Sequence, residues 1–134
     1  MPDNTDPSSI GELQSGSGHA EYQGAKVILI VEDDEDIGFF LVEAIRQETP
    51  YHPIWVKDGF AALKTVHNLK PDLFILDYQL PYMDGIELYD QLRAKQELAE
   101  VPAIFMTANI GMPRHALEKR KIVGLSKGFV LTSV

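Results

Sequence analysis

The segment from Leu73 to Gly85 places the strongest constraint on how this chain can fold. Four apolar residues, Leu73 to Leu76, run directly into the carboxylate of Asp77, and the chain then turns through Pro81 and the Asp84-Gly85 pair. A short apolar run without polar alternation is typical of a strand buried on both faces, as in a parallel sheet. Asp77 would then lie at the carboxyl edge of the sheet, where doubly wound folds bind ligands. The alternative is that Asp77 only begins a turn.

Two other apolar runs end in polar residues in the same way. Val27–Val31 is followed by five acidic residues, Glu32 to Asp36, and the run 101–108 ends in Thr107 and Ala108. If these runs are parallel strands, Glu32, Asp33, Asp77 and Thr107 come together at one edge of the sheet. The sequence therefore predicts a polar, strongly acidic site at that edge.

Such a cluster of carboxylates indicates a bound cation. Two carboxylates about 5 Å apart repel each other by roughly 3 kcal/mol at an effective dielectric constant near 20, and a cation would offset that repulsion. The chain has no Cys, and its four His residues lie far apart in sequence. Hard oxygen ligands without sulfur or imidazole favour Mg²⁺.

The segments between and around these runs alternate between helix-like and strand-like patterns. Asp36 is the predicted N-cap of a first helix that ends near Glu48, with apolar residues at helical spacing. Pro113 is expected in the first turn of the last helix, which ends near Lys121. The other predicted elements are strands at 27–31, 54–56, 73–77, 101–108 and 123–126, and helices at 60–69 and 85–95. Strands separated by helices of about ten residues predict right-handed crossovers and a parallel α/β sheet.

Four separated motifs together resemble the receiver domain of two-component response regulators. They are Val31-Glu32-Asp33-Asp34, the turn from Asp77 to Gly85, Met106-Thr107-Ala108 and Ser126-Lys127. The resemblance covers roughly residues 26 to 130, and its most specific part is the run from Leu76 to Gly85. It implies a flavodoxin-like, doubly wound sheet of five parallel strands in the order 2-1-3-4-5.

The resemblance also implies a function and assigns roles to individual residues. Asp77 would accept a phosphoryl group from a histidine kinase or a histidine phosphotransfer protein, and the domain would signal by a conformational switch. Mg²⁺ would be held by Asp33, Asp77 and the backbone carbonyl of Gln79, with Glu32 acting through water. Thr107 and Lys127 would contact phosphoryl oxygens. The domain would not be an enzyme beyond its own phosphorylation and slow dephosphorylation.

The sequence departs from the receiver pattern near its end. Gly124 stands where the family usually has an aromatic residue, and Gly128 follows Lys127 where a Pro is usual. The segment after Phe129 is too short for a fifth helix, so we expect that helix to be missing. The apolar strip left uncovered predicts self-association, as a homodimer through the C-terminal region.

Three alternative functions follow from the same residues. A degenerate receiver would bind a partner protein without being phosphorylated. A phosphatase of the haloacid-dehalogenase type also uses an Asp nucleophile, but it needs a second Asp two residues later, where this chain has Gln79. A flavodoxin-like nucleotide binder is disfavoured because five acids in the first loop would repel a phosphate.

Composition sets the remaining expectations. The net charge of −8 argues against direct DNA binding, which depends on neutralising phosphates. No apolar run approaches 18 residues and no signal peptide precedes the first strand, so we expect no membrane span and a cytoplasmic protein. Residues 1–25 are rich in Pro, Ser and Gly and are expected to form a flexible tail, which leaves 26–134 as the receiver domain. The basic residues at 119–121 are expected to form a solvated helix face.

Overall fold

The sheet has five parallel strands, and its order confirms the prediction. The computed structural model describes residues 24–107, 114–120 and 123–126. The strands, in chain order, are β1 Val27–Val31, β2 His52–Val56, β3 Leu73–Asp77, β4 Ala103–Thr107 and β5 Val123–Ser126. Their order across the sheet is β2-β1-β3-β4-β5, and each neighbouring pair is parallel. All five carboxyl ends therefore lie at one edge.

Helices connect the strands and cover both faces of the sheet. They are α1 Glu35–Glu48, α2 Gly59–Thr65, α3 Gly85–Arg93 and α4 Arg114–Lys119, and a 3₁₀ turn at Gln96–Leu98 follows α3. Alternate residues of β1 face opposite sides. Leu29 and Val31 pack in a core shared with α2, α3 and α4, whereas Ile28 and Ile30 pack against α1. Because both faces are covered, all of β1 is buried, as its unbroken apolar run predicts.

The first helix begins earlier than predicted. Its N-cap is Asp34, not Asp36: Asp34 has an extended backbone, and its side chain accepts a hydrogen bond from the Ile37 amide at 3.0 Å. Asp36 is already helical. Spacing alone does not choose between neighbouring acids, but the helix starts as soon as the chain leaves the strand, which places Glu35 and Asp36 in the first turn. Negative charge is favourable there because of the helix dipole.

Other boundaries differ by a few residues. The second strand begins at His52, because Pro53 lies on the outer strand of the sheet, where a missing amide breaks no ladder. The second helix ends at Thr65 instead of Leu69, because the amides of His67 and Asn68 bond three residues back in tight turns. The third helix ends at Arg93 instead of Lys95. The fourth strand begins at Ala103 instead of Val101.

Part of the prediction lies outside the described residues. This holds for residues 1–23 of the expected tail, for Ala108 and Pro113, and for everything after Ser126. Lys127, Gly128 and the expected loss of the fifth helix therefore stay predictions.

Candidate functional site

Three carboxylates meet at the carboxyl edge of the sheet. Glu32, Asp33 and Asp77 each offer an oxygen atom, and these atoms all lie within 4.8 Å of one another. The strands that carry them are neighbours, since Val31 of β1 pairs with Leu76 of β3. Glu32 is only 2% exposed and Asp77 only 4%, whereas Asp33 is exposed. The predicted clustering of these three residues is confirmed.

Backbone amides orient the two buried carboxylates. The Glu32 side chain accepts a hydrogen bond from the Asp34 amide at 3.0 Å, and Asp77 Oδ1 accepts one from the Gln79 amide at 3.1 Å. Each bond joins residues two apart in sequence, so the backbone of each loop binds the carboxylate at the start of that loop. The carboxylates are thus directed by the backbone as well as by packing.

The loop after Asp77 folds back closely over the end of β3. The Gly85 amide donates to the Tyr78 carbonyl at 2.8 Å, and a Cβ atom at Gly85 would stand 2.3 Å from the carbonyl oxygen of Asp77. A side chain at that position would push the loop away from the acidic cluster. Asp84 then caps α3 through a reciprocal pair of bonds with Glu87. The Asp-Gly pair therefore serves both the close turn and the helix start.

Thr107 lies at the same edge, on the other side of β3. It is 4% exposed, and its predecessor Met106 pairs with Asp77 across the β3–β4 ladder. Thr107 itself pairs with Ser126, the last residue of β5. The structure thus places Thr107 one residue beyond Asp77 towards the carboxyl edge. Lys127, the next residue after Ser126, is outside the described residues.

Sequence reasoning missed the contribution of β2 to the site. Trp55 Nε1 donates to the backbone carbonyl of Glu32 at 2.8 Å, and Val56 accepts from the Glu32 amide at 3.0 Å. Lys57 Nζ lies 2.5 Å from Glu35, and this hydrogen bond lowers the pKa of the Glu35 carboxyl. The one signal in the sequence was Gly38, which lies in α1 against the Trp55 ring. A glycine inside a helix often marks the close approach of another element.

The donor set fits a hard divalent cation. Three carboxylates within a few ångströms supply oxygen ligands of the kind that Mg²⁺ uses. The same cation would offset the repulsion between them. The acidic cluster therefore combines the ligands for a cation with the buried, oriented carboxylate of Asp77 at the end of β3.

Comparison with known proteins identifies the family. The model of the response regulator receiver domain matches residues 28–130, which is most of the chain. This chain belongs to the response regulator receiver family. The match spans all five strands, all four helices and the acidic cluster, in agreement with the resemblance seen in the motifs.

Individual receivers and regulators show the same relationship. The chain is 38% identical over 103 residues to the alkaline phosphatase synthesis transcriptional regulatory protein PhoP of Bacillus subtilis, covering 77% of this chain and 39% of PhoP. It is 34% identical over 83 residues to the polar-differentiation response regulator DivK of Brucella anthropi, covering 62% of this chain and 67% of DivK. The receiver thus spans well under half the length of PhoP.

A solved receiver structure supports the fold and bears on the metal. The receiver domain of a sensor histidine kinase from Pseudomonas aeruginosa has a magnesium ion coordinated in its active site cleft. It superposes with a TM-score of 0.67 at 28% identity, covering 79% of this chain and 88% of that one. Among the described residues of this receiver, no helix is long and apolar enough to cross a membrane.

Proposed function

We propose that this receiver accepts a phosphoryl group on Asp77 in a Mg²⁺-dependent reaction and signals through the change that follows. The observation that carries the proposal is the cluster of Glu32, Asp33 and Asp77, with oxygens within 4.8 Å of one another at the end of β3. Mg²⁺ would be held by Asp33, Asp77 and the backbone carbonyl of Gln79, with Glu32 acting through water. When bound, it supplies positive charge to the phosphoryl oxygens, as phosphoryl transfer requires.

The donor is a phosphohistidine on a histidine kinase or a histidine phosphotransfer protein. An oxygen of the Asp77 carboxylate attacks phosphorus, a P–O bond forms and the P–N bond to imidazole breaks. The imidazole nitrogen keeps the electron pair and takes a proton from solvent. Asp77 is left as a mixed anhydride of carboxylic and phosphoric acid. The hydrogen bond from the Gln79 amide holds the carboxylate in its orientation during the attack.

Two further residues are proposed to contact the phosphoryl group. Thr107 is buried at the neighbouring strand end, where its hydroxyl would donate to a phosphoryl oxygen. Lys127 follows Ser126 on the next strand, and its ammonium would bind another phosphoryl oxygen. A cytoplasmic location, the absence of direct DNA binding and a homodimer through the C-terminal region are predictions of the same proposal.

Intact mass after treatment with acetyl phosphate and Mg²⁺ tests the function. We expect the wild type to gain the mass of one phosphate and Asp77→Asn to gain none. Asp36→Asn is the matched control, because Asp36 is an exposed acid in the first turn of α1, at the end of the acidic run 32–36, and lies outside the cluster. This variant should be phosphorylated like the wild type.

Intact mass, together with an assay of the phosphate released, separates the alternative functions. A wild type that gains no mass with Mg²⁺ present would indicate a degenerate receiver that acts only as a binding module. Release of many phosphates per protein molecule would indicate a phosphatase of the haloacid-dehalogenase type.

A further inference from the structure

We infer that Trp55 is a positioning residue for the metal site. Its indole N–H bonds the backbone carbonyl of Glu32 at 2.8 Å and so holds the acidic loop in the shape that binds a divalent cation. The inference rests on the metal site of the proposed function. Trp55 touches neither the metal nor the phosphoryl group; it acts through the loop that carries Glu32 and Asp33.

Two consecutive residues of β2 hold both backbone polar groups of Glu32. The Glu32 amide donates to the Val56 carbonyl at 3.0 Å, and the Glu32 carbonyl accepts from Trp55 Nε1. The first bond extends the β1–β2 ladder by one step beyond Val31. The second bond is made by a side chain, and it fixes the peptide group between Glu32 and Asp33. The directions of both carboxylates depend on that peptide.

The indole is itself held in place on both sides. A Cβ atom at Gly38 would lie only 2.1 Å from the Trp55 ring atoms Cε2 and Cζ2, so α1 can approach the ring only because residue 38 is a glycine. Lys57 Nζ lies 5.6 Å from the ring centroid and binds Glu35 at the start of α1. The ring is therefore packed between β2 and α1, and its N–H donates to the loop.

The loop needs such a restraint because its charges oppose its native shape. Glu32, Asp33 and Asp77 are close enough to repel one another, and β1 ends just before Glu32 and Asp33. Without a bound cation the repulsion favours outward movement of the exposed Asp33. A fixed peptide between Glu32 and Asp33 keeps both carboxylates directed inward before the cation arrives. The metal then binds a site that is already formed, which raises its affinity.

Calorimetric titration with Mg²⁺ tests this role. Trp55→Phe keeps an aromatic ring beside Gly38 and removes the N–H donor. Since one hydrogen bond is lost, we expect the dissociation constant for Mg²⁺ to rise about threefold to tenfold. Tyr51→Phe is the matched control: it removes the hydroxyl donor of an exposed aromatic residue next to β2, at the opposite end of the strand from the site. Its dissociation constant should equal that of the wild type.

Tryptophan fluorescence gives a second readout that does not depend on any variant of Trp55. Trp55 is the single tryptophan of the chain, so the emission reports on this ring alone. If the indole holds the loop, the emission of the wild type should change over the same Mg²⁺ concentrations as the calorimetric signal. Asp77→Asn removes a ligand on a different strand and should move that change to higher Mg²⁺ concentration.

The outcomes separate this inference from the proposed function. Equal Mg²⁺ affinities of the wild type and Trp55→Phe would overturn the role of Trp55 and leave the metal site standing. An emission that stays constant while calorimetry records binding would overturn it as well. A wild type that binds no Mg²⁺ would overturn the metal site itself, and the role of Trp55 with it.

Discussion

Glu32, Asp33 and Asp77 have carboxylate oxygens within 4.8 Å of one another, and the repulsion between them is the main electrostatic feature at the scale of single residues. Two of them, Glu32 and Asp77, are almost fully buried, so water screens their repulsion poorly. The backbone amides of Asp34 and Gln79 offset part of the cost by donating to them. The protein without metal therefore contains a local repulsion that binding of a cation relieves.

Neutralising one acid should stabilise the metal-free protein. We expect Asp33→Asn or Asp77→Asn to raise the free energy of unfolding in EDTA by about 1–3 kcal/mol, the scale of a like-charge interaction at this distance. Asp77→Asn should show the larger effect because Asp77 is buried. Chemical denaturation in EDTA measures this change. Unfolding midpoints at or below that of the wild type in both variants would contradict a repulsive cluster.

At the scale of elements, the contact between α1 and β2 depends on the missing side chain at Gly38. An alanine inside a helix is normally favoured over glycine by about 1 kcal/mol. Here its Cβ would stand 2.1 Å from the Trp55 ring, so either the ring or the helix must move. Overpacking of this kind typically costs about 1–3 kcal/mol, which exceeds the gain in helix propensity.

We therefore expect Gly38→Ala to lower the free energy of unfolding by up to about 2 kcal/mol, the overpacking cost less the gain in helix propensity. The phenyl ring of Trp55→Phe lacks the indole atoms that meet the added Cβ, so the cost of Gly38→Ala should be smaller in that background. Urea denaturation of the two single variants and the double variant gives the coupling. If the two substitutions change the free energy of unfolding additively, Gly38 is not required to make room for the indole.

A second link between elements joins α3 to the end of α4. Arg120 donates to both oxygens of Asp90, with Nε–Oδ1 and Nη2–Oδ2 distances of 2.8 Å, and Nη1 donates to the Ala116 carbonyl at 3.0 Å. Arg120 is thus paired within the domain, in bonds that remain exposed on the face that the sequence predicts to be solvated. The planar guanidinium matches the two carboxylate oxygens, which favours this pairing. The pairing could not be predicted from the sequence, because it requires α3 and the end of α4 to lie side by side.

This pair gives a pH-dependent prediction. The hydrogen bond from Arg120 lowers the pKa of Asp90 below its ordinary value of 3.8. A carboxyl whose pKa is depressed in the folded state adds stability above its unfolded pKa and loses it as pH falls through the folded pKa. Arg120→Gln should thus lower the free energy of unfolding by about 0.5–1 kcal/mol at pH 7, because the pair is partly exposed.

The difference from the wild type should shrink between about pH 4 and pH 2. Arg46→Gln is the control, because Arg46 and Glu43 form a looser, exposed pair at 3.7 Å. Thermal unfolding of the three proteins across this pH range measures the difference. A gap between Arg120→Gln and wild type that stays constant down to pH 2 would contradict a role for the Asp90 charge.

At the scale of the whole molecule, the sheet has a hydrophobic core on each face, and the acidic cluster lies at its carboxyl edge. Strand β1, which lies between β2 and β3, contributes to both cores and also leads into the acidic loop. Unfolding of either core would therefore separate the carboxylates. The metal site exists only in the folded domain, so metal binding and folding are coupled.

Mg²⁺ should consequently stabilise the whole domain. At a concentration ten times its dissociation constant, a ligand that binds only the native state adds about 1.4 kcal/mol. For a domain of this size that corresponds to a rise of about 4–8 °C in Tm. Calorimetric scans with MgCl₂, compared with NaCl at equal ionic strength, measure the shift. Asp77→Asn should show a smaller shift, and an equal shift in both proteins would contradict binding at this cluster.

The sequence by itself determined the strands and the acidic edge, and the order of the strands followed from the resemblance to receiver domains. Apolar runs ending in acids mark strands buried on both faces, and the parallel arrangement brings Glu32, Asp33, Asp77 and Thr107 to one edge. These features depend on local patterns and on a general rule of topology. For the same reason the start of β1 and the end of β3 are predicted to the residue.

Only the tertiary structure decided which residues support that edge. The bond from Trp55 to Glu32 and the pairing of Arg120 with Asp90 each depend on an approach between segments. Residues 32 and 55 are far apart in sequence, and no periodicity links an indole N–H to a distant carbonyl. Trp55 reaches Glu32 because β2 lies beside β1 and because α1 packs against the indole at Gly38. These contacts form only when the sheet and the helix pack together.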